Sequence, residues 1–549
     1  MEEKGYLLIV LHTHLPFVRH PELDSAGEEG WLFEALVECY LPLLETFERL
    51  VEGGVSFRIS MSLTPPLLEM WADPLLQERF LRYLDDRERL AEREIGRLGG
   101  EPDARRLARM ARDRFVRSGR LFRDRWHGDL AVAFGRLFDS GNLEILASAA
   151  THALLPLWYT CPEAVELQVR VGIRRFEQAF ERFPLGFWLP ECAYSPGLDA
   201  LLVRAGIRYT FLEAQSLFHG EPRPRLGVYA PIHCPSGLAA FGRDWHSHEL
   251  VWHKEGGYPG EPAYLDQSRD IGYDLPVEEL RPFTRCDHPV PTGLRYRHLG
   301  SAHASDFYDP DLAFRRCDTH ADHFVASCQR RVEDLHALLG RRPVLVALFD
   351  TEHFGHWWHE GPTWLDLTLR KLACNQKTVR LITGAEYLEA YPTHQVVQPH
   401  LSSWGYQGYC ETWLMGRNHW IYPAVFKALE ELRELEPGAS AGGGLSRTAL
   451  EQALRELLLA QSSDWAFILH TQTMLPYATR RLETHIGNLE LLLGQLRSGS
   501  IDRAWLGTLR ERDNLFAGLE LTDLYRRALA SVVPSEPGQA VTSHDKSET

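Results

Sequence analysis

The sequence predicts an α/β protein built on a parallel barrel, with a helical insertion and an all-α C-terminal domain. Three observations carry this. Short apolar runs without alternation recur along the first 400 residues, at 6–11, 55–60, 143–147, 186–189, 208–212, 344–349 and 379–383. Strands buried on both faces read this way, because neither face requires polar side chains. Segments of helical period, such as 163–183 ending before Pro184, separate several of the runs. After residue 400 the pattern changes to successive amphipathic helices. Strand alternating with helix implies a parallel sheet, and seven candidate strands imply a barrel of about that number.

The barrel is expected over residues 1–73 and 138–400. Residues 74–137, rich in Arg, Glu, Asp and Leu, predict an insertion of helices with a solvated, charge-paired face. Residues 214–300 hold many Gly, Pro and His with little periodicity, and predict long functional loops. The helical domain is placed at 401–533, with helices at 419–435, 446–461, 480–497, 501–512 and 516–531 and a glycine-rich break at 438–444. The polar tail 534–549 predicts disorder.

Composition narrows the function classes. A chain of 549 residues with 44% apolar and 24% charged residues is a normal globular protein, large enough for a barrel and a further domain. A formal charge of −16 gives no electrostatic support for nucleic-acid binding. Nine cysteines with no C-x-x-C pair argue against a disulfide framework or a zinc ribbon. No apolar run approaches the roughly 18 residues of a membrane span, and the N-terminus does not read as a signal peptide, so a cytoplasmic protein with no membrane partner is expected.

Two acids follow two of the apolar runs. Glu191 stands after a run stopped by Pro190, among Trp188, Cys192 and Tyr194; Asp350 stands after 344–349, where desolvation would raise its pKa. In a barrel the strand ends on one face carry the chemistry, and a pair of carboxylates among aromatic rings is what glycosidic bond cleavage needs. His12 and His14, two apart on a strand, point to one face. Their spacing also suits a metal, as do Asp350, Glu352, His353, His356 and His359, although no established spacing such as H-E-x-x-H is met. Glu144 opens an otherwise apolar strand, and Asp464 interrupts a helical pattern. Core packing accounts for most aromatic residues, but Trp404 and Trp413, beside Gly and Tyr at the junction with the helical domain, suit a wall that stacks on sugar faces.

Taken in order, these segments resemble glycoside hydrolase family 57, and within it the 1,4-α-glucan branching enzymes. HTHLP from His12, GNLEI from Gly141, WLPEC from Trp188, FDTEHFGH from Phe349 and the Trp404–Trp413 region with SDW at Ser463 stand for the family's five motifs. The resemblance implies a (β/α)7 barrel acting on α-1,4-glucan such as amylose or glycogen, Glu191 as nucleophile, Asp350 as acid/base, and no cofactor or metal. It implies that His12 and His14 hydrogen-bond the sugar beside the cut, with help from Asp464, and that Trp31, Trp404 and Trp413 line the glucan path; Glu144, Trp252 and His353 belong to the same candidate substrate-binding set. It also implies a loop over the site with a tyrosine near its tip, expected near 227–244. That stretch holds Tyr229, with His233 placed nearer the tip. Replacement of the tyrosine by His233 would favour hydrolysis over branching. An α-amylase or 4-α-glucanotransferase of the family is therefore the competing expectation, ahead of a sugar-binding protein without catalysis and a metal-dependent deacetylase.

Overall fold

The structure, a computed structural model, describes residues 3–23, 27–253, 256–303, 306–441 and 443–532. Its sheet contains β1 (Gly5–Thr13), β2 (Ile59–Leu63), β3 (Leu143–Ser148), β4 (Gly186–Trp188), β5 (Tyr209–Leu212), β6 (Ile232–His233), β7 (Ala239–Gly242), β8 (Val344–Asp350) and β9 (Val379–Leu381). The strands run in the order β6-β7-β5-β4-β3-β2-β1-β8, and every pair is parallel except β6 with β7. The sheet curls until Asp244 N, just past β7, donates to Val346 O of β8 at 2.8 Å. β7-β5-β4-β3-β2-β1-β8 thus form a seven-stranded parallel barrel. All nine residues of β1 are buried, and in β8 every residue but the final Asp350 is buried.

Three strand expectations change. β9 is not a barrel stave; it pairs only with Gly5–Leu7 of β1, below the point where β2 takes over that edge. The seventh stave is β7, inside the stretch expected to be loop. It was hidden because AAFG is short and free of β-branched residues, with Phe241 its one strong strand former. The expected strand 55–60 forms at Ile59–Leu63, because Ser56 is exposed and Arg58 half-buried, and only from Ile59 on are both faces covered.

Between β2 and β3 lie the long helices Pro74–Arg97 and Pro102–Arg120. The first starts where Asp73 caps Leu75 N and Leu76 N and Pro74 fixes the first turn. Leu76, Phe80, Leu84 and Leu90 face inward. Not all the charge is solvated: buried Arg87 donates to Phe283 O and Pro291 O, and Arg114 donates to Gly293 O. The insertion therefore grips the segment around 283–293.

The C-terminal part is helical: Ile421–Ala441, Leu445–Ala460, Ser463–Thr471, Leu475–Ser498, Arg503–Arg512 and Leu521–Val532. The first of these continues through Pro437 and Gly438, where a break was expected; Ser440 and Arg526 both bond Glu436 and hold its last turns. Ser463 N donates to His152 O at 3.1 Å and Gln168 Nε2 to Gln461 Oε1 at 3.0 Å, so the helices dock beside β3. The tail 534–549 lies outside the described residues.

Candidate active site

β4 ends at Trp188, and the chain leaves the sheet through Leu189 and Pro190. Glu191 (φ 59°) and Cys192 (φ 48°) then both take left-handed backbone conformations. Such residues cost roughly 1–3 kcal/mol each and persist only where surrounding structure enforces them. Here Cys192 N bonds Leu189 O, Ala193 N bonds Pro190 O, and Trp404 N bonds Glu191 O at 2.9 Å. The turn throws the Glu191 side chain over the barrel mouth. Trp404 Nε1 donates to its Oε2 at 2.7 Å and Ser463 Oγ to its Oε1 at 2.9 Å. Burial raises the Glu191 carboxyl to about 7, partly offset by those two donors; the Asp464 charge adds to the rise and His14 opposes it.

Asp350 is the last residue of β8, in register with His12 of β1. No side-chain hydrogen bond reaches its carboxyl among the described residues. Burial raises its pKa well above the ordinary carboxylate range, reinforced by the charges of Glu352 and Glu191 and opposed by Arg243. Glu352 accepts from Tyr40 Oη at 2.5 Å and from His14 N at 3.2 Å, and burial pushes it up to about 7.

Both acids line one cavity of about 690 Å³, walled by Trp31, Trp245, Trp252, Trp357, Trp404 and Trp413. It adjoins a second cavity of about 1170 Å³ that shares Trp31, Trp252, His356 and Trp357. The 283–293 segment gripped by the insertion contributes Val290 and Pro291 among others to the second cavity's wall.

Of the residues expected from sequence, His12, His14, Trp31, Glu191, Trp252, Asp350, Trp404, Trp413 and Asp464 meet at the first cavity. Several differ from expectation in what they do there. His12 bonds Ser62 Oγ and His152 Nε2, and His14 bonds Thr64 Oγ1 and Asp464, so neither ring keeps a free nitrogen for a sugar hydroxyl. Trp404 anchors Glu191 through its indole N–H. His353 is buried, bonds Val251 O at 2.8 Å, and lines only the second cavity, under Trp252.

Three expected residues lie elsewhere. Glu144 sits at the opening end of β3, accepting from Ser60 Oγ and Gly384 N, at the end of the barrel away from the acids. Tyr229 O accepts from Val344 N at the opening end of β8, and its hydroxyl accepts from Arg331. His233 lies in β6, bonded to Gln395 O and Val397 N and packed on His394. The 227–244 stretch is therefore no loop over the acids but the hairpin that leads into β7, and His233 is at no tip above them. A short β-hairpin satisfies its backbone against β5 and 395–397, which ties it to the barrel's far end.

A model of glycosyl hydrolase family 57 matches residues 8–400, and one described as 1,4-alpha-glucan branching enzyme, C-terminal, matches 424–523. The chain belongs to glycosyl hydrolase family 57. Among family members it is 32% identical to a 1,4-alpha-glucan branching enzyme of Thermococcus kodakarensis, over 93% of this chain and 77% of that one. The crystal structure of an alpha-amylase from Thermotoga maritima superposes with a TM-score of 0.87 at 37% identity, covering 95% of this chain and 99% of the other. That of a branching enzyme from Pyrococcus horikoshii gives 0.84 at 30% identity, covering 98% of both.

Sequence reasoning missed three residues that line this cavity. Arg243 follows the unrecognised β7, lies between Glu213 Oε2 (2.9 Å) and the His248 ring, and faces Trp404 at 5.5 Å. His152 (φ 57°) follows β3 and stacks on His14 at 4.0 Å; a Thr-His pair just past a buried strand was its only signal. Trp357, about half exposed, lines both cavities.

Proposed function

We propose that the chain is a retaining α-glucan transferase, a 1,4-α-glucan branching enzyme of glycogen assembly, with Glu191 as nucleophile and Asp350 as acid/base. The observation that carries this is the pair of strand-end carboxyls in one tryptophan-walled cavity, with surroundings that differ in their hydrogen-bond donors. Glu191, raised by burial, has two donors that favour its ionised form; Asp350 has none among the described residues and is pressed toward its neutral form by burial and neighbouring acids. Two carboxyls whose surroundings differ in this way suit the roles of nucleophile and acid.

In the proposed reaction Asp350 gives its proton to the glycosidic oxygen as Glu191 attacks the anomeric carbon. The C–O bond breaks, the shortened glucan leaves as an alcohol, and a glycosyl ester forms on Glu191. Asp350, now ionised, takes the proton of an incoming 6-hydroxyl, whose oxygen displaces Glu191 and completes an α-1,6 branch with net retention. Transfer needs room for an acceptor chain beside the donor, and the second cavity supports this. Trp31, Trp252 and Trp357, shared by the two spaces, offer rings to sugar faces at the junction. The helical insertion at 74–137 then acts as a buttress for the acceptor wall.

Hydrolysis is the second reading, supported by the 37% identity to the Thermotoga maritima alpha-amylase. Water would then take the place of the 6-hydroxyl in the same chemistry. Incubation with amylose separates the two. Branching lowers iodine colour and creates α-1,6 linkages with few new reducing ends; abundant reducing ends without new linkages would replace the transferase reading by the hydrolytic one.

A further inference from the structure

Behind Glu191 runs a file of polar side chains that the proposed reaction does not itself use. Ser62 Oγ lies 2.6 Å from His12 Nδ1; His12 Nε2 lies 2.9 Å from His152 Nε2; His152 Nδ1 lies 2.9 Å from Ser463 Oγ; and Ser463 Oγ lies 2.9 Å from Glu191 Oε1. Ser62, His12, His152 and Ser463 are each no more than 2% exposed. They come from β2, β1, the turn after β3 and the first turn of Ser463–Thr471, so the file crosses the barrel mouth and enters the helical domain.

The direction of every bond in the file follows from its last member. An ionised carboxylate only accepts, so Ser463 donates its one proton to Glu191. Ser463 Oγ must then accept, so His152 donates from Nδ1. A neutral His152 leaves Nε2 as an acceptor, which requires a proton on His12 Nε2. His12 Nδ1 then accepts from Ser62 Oγ. Burial lowers both His12 and His152 well below the usual histidine range, which keeps each ring neutral with a single N–H.

The geometry points to Ser463, His152 and His12 as positioning residues: a one-way chain of donors, ending on Oε1, that favours the ionised form of Glu191 against its burial and fixes the oxygen presented beside Trp404. Aligned hydrogen bonds polarise one another, so each member strengthens the last. The inference rests on Glu191 being the nucleophile. It also gives the His12 ring a task other than sugar binding, consistent with both its nitrogens being occupied. His14 stands outside the file. Burial would lower it, but Asp464, with Glu191 and Glu352, raises it, and it bonds Asp464 at 3.0 Å.

The test follows the acid limb of kcat/KM against pH in the full chain, since the nucleophile must be ionised. The other charged groups facing Glu191, namely Asp464, His14, Asp350 and Arg243, stay in place in every variant. Ser463→Ala should move the limb up by about one pH unit. His152→Phe, which keeps a stacked ring, should move it up by less. Ser463→Thr should restore the wild-type limb, and KM should change little throughout. A limb left in place by both Ser463→Ala and His152→Phe, with only a lowered melting temperature, would reduce the file to packing. Glu191→Gln distinguishes the two levels: retained turnover in that variant removes the nucleophile reading itself, whereas its inactivity together with an unmoved limb removes the donor chain alone. A second measurement needs no substitution. In 15N-histidine-labelled enzyme at neutral pH, His152 should carry its proton on Nδ1 and His12 on Nε2; the reverse pair of tautomers, or two imidazolium rings, overturns the inference.

Discussion

The ends of β4 and β8 each present one carboxyl to the same cavity, yet they are built in opposite ways. At β4 the backbone is forced into two left-handed residues, and the resulting side chain is caught by an indole N–H and a serine hydroxyl. At β8 the strand runs straight to Asp350 with ordinary extended geometry and leaves its carboxyl without a donor among the described residues, between two other acids and Arg243. Rigid aim and donors suit a group that must be charged and strike one carbon. Burial without donors suits a group that must hold a proton until the substrate arrives. The asymmetry, rather than the mere presence of two acids, supports the proposed roles.

The largest effects should come from removing either acid. Glu191→Gln should lower turnover on amylose by on the order of 10⁴-fold or more, and Asp350→Asn by about 10²–10⁴-fold. The two should differ with an activated substrate: a glucosyl fluoride needs little protonation of its leaving group, so it should form the glycosyl-enzyme readily with Asp350→Asn and not with Glu191→Gln. Equal defects on that substrate would erase the distinction between the strand ends.

The next effect is on stability. The Glu191 carboxyl is raised in the folded protein to about 7, above its unfolded value, so the folded state binds the proton more tightly. Its contribution to stability is complete below the unfolded pKa and is lost as pH rises through about 7. Glu191→Gln should therefore unfold at higher temperature than wild type at pH 8, by about 1–3 kcal/mol of stability, with the gap closing toward pH 4. A gap independent of pH would show that the site does not strain this carboxyl.

Smaller changes sharpen the comparison between the two cavities. Trp357→Ala, at their junction, should reduce branching relative to hydrolysis a few-fold through loss of about 0.5–1.5 kcal/mol of ring contact with the acceptor; an unchanged ratio would place the acceptor elsewhere. His233→Tyr, in the hairpin at the far end of the barrel, should leave that ratio as it is. A changed ratio would mean that 227–244 reaches the site in a way its pairing with β5 and 395–397 does not allow.

The legibility of this chain in sequence follows the same physics. Glu191 and Asp350 were readable because each breaks an apolar run at its end, a pattern set by burial on both faces of a strand. The helical C-terminal part was readable from its period, except at Ser463–Thr471, where Asp464 and Trp465 read as an interruption, and where side-chain contacts to Glu436 carried a helix through Pro437 and Gly438. β7 was not, since four residues with no β-branched member carry no pattern of their own, and Arg243 was lost with it. His152 and the Trp404 bond to Glu191 arise from elements far apart in the chain, joined only when the helical domain docks against the barrel. Tyr229 and His233 were misplaced because a hairpin and a loop rich in Gly and Pro read alike until their backbone partners are known.

The most direct test of the account is covalent trapping. A 5-fluoro-glucosyl fluoride forms the glycosyl ester quickly and releases it slowly, so peptide mass spectrometry locates the ester. One added sugar is expected on the peptide containing Glu191 in wild type, and none in Glu191→Gln. A label on another residue, or no label from an enzyme that turns the reagent over with inversion at the anomeric carbon, would contradict it.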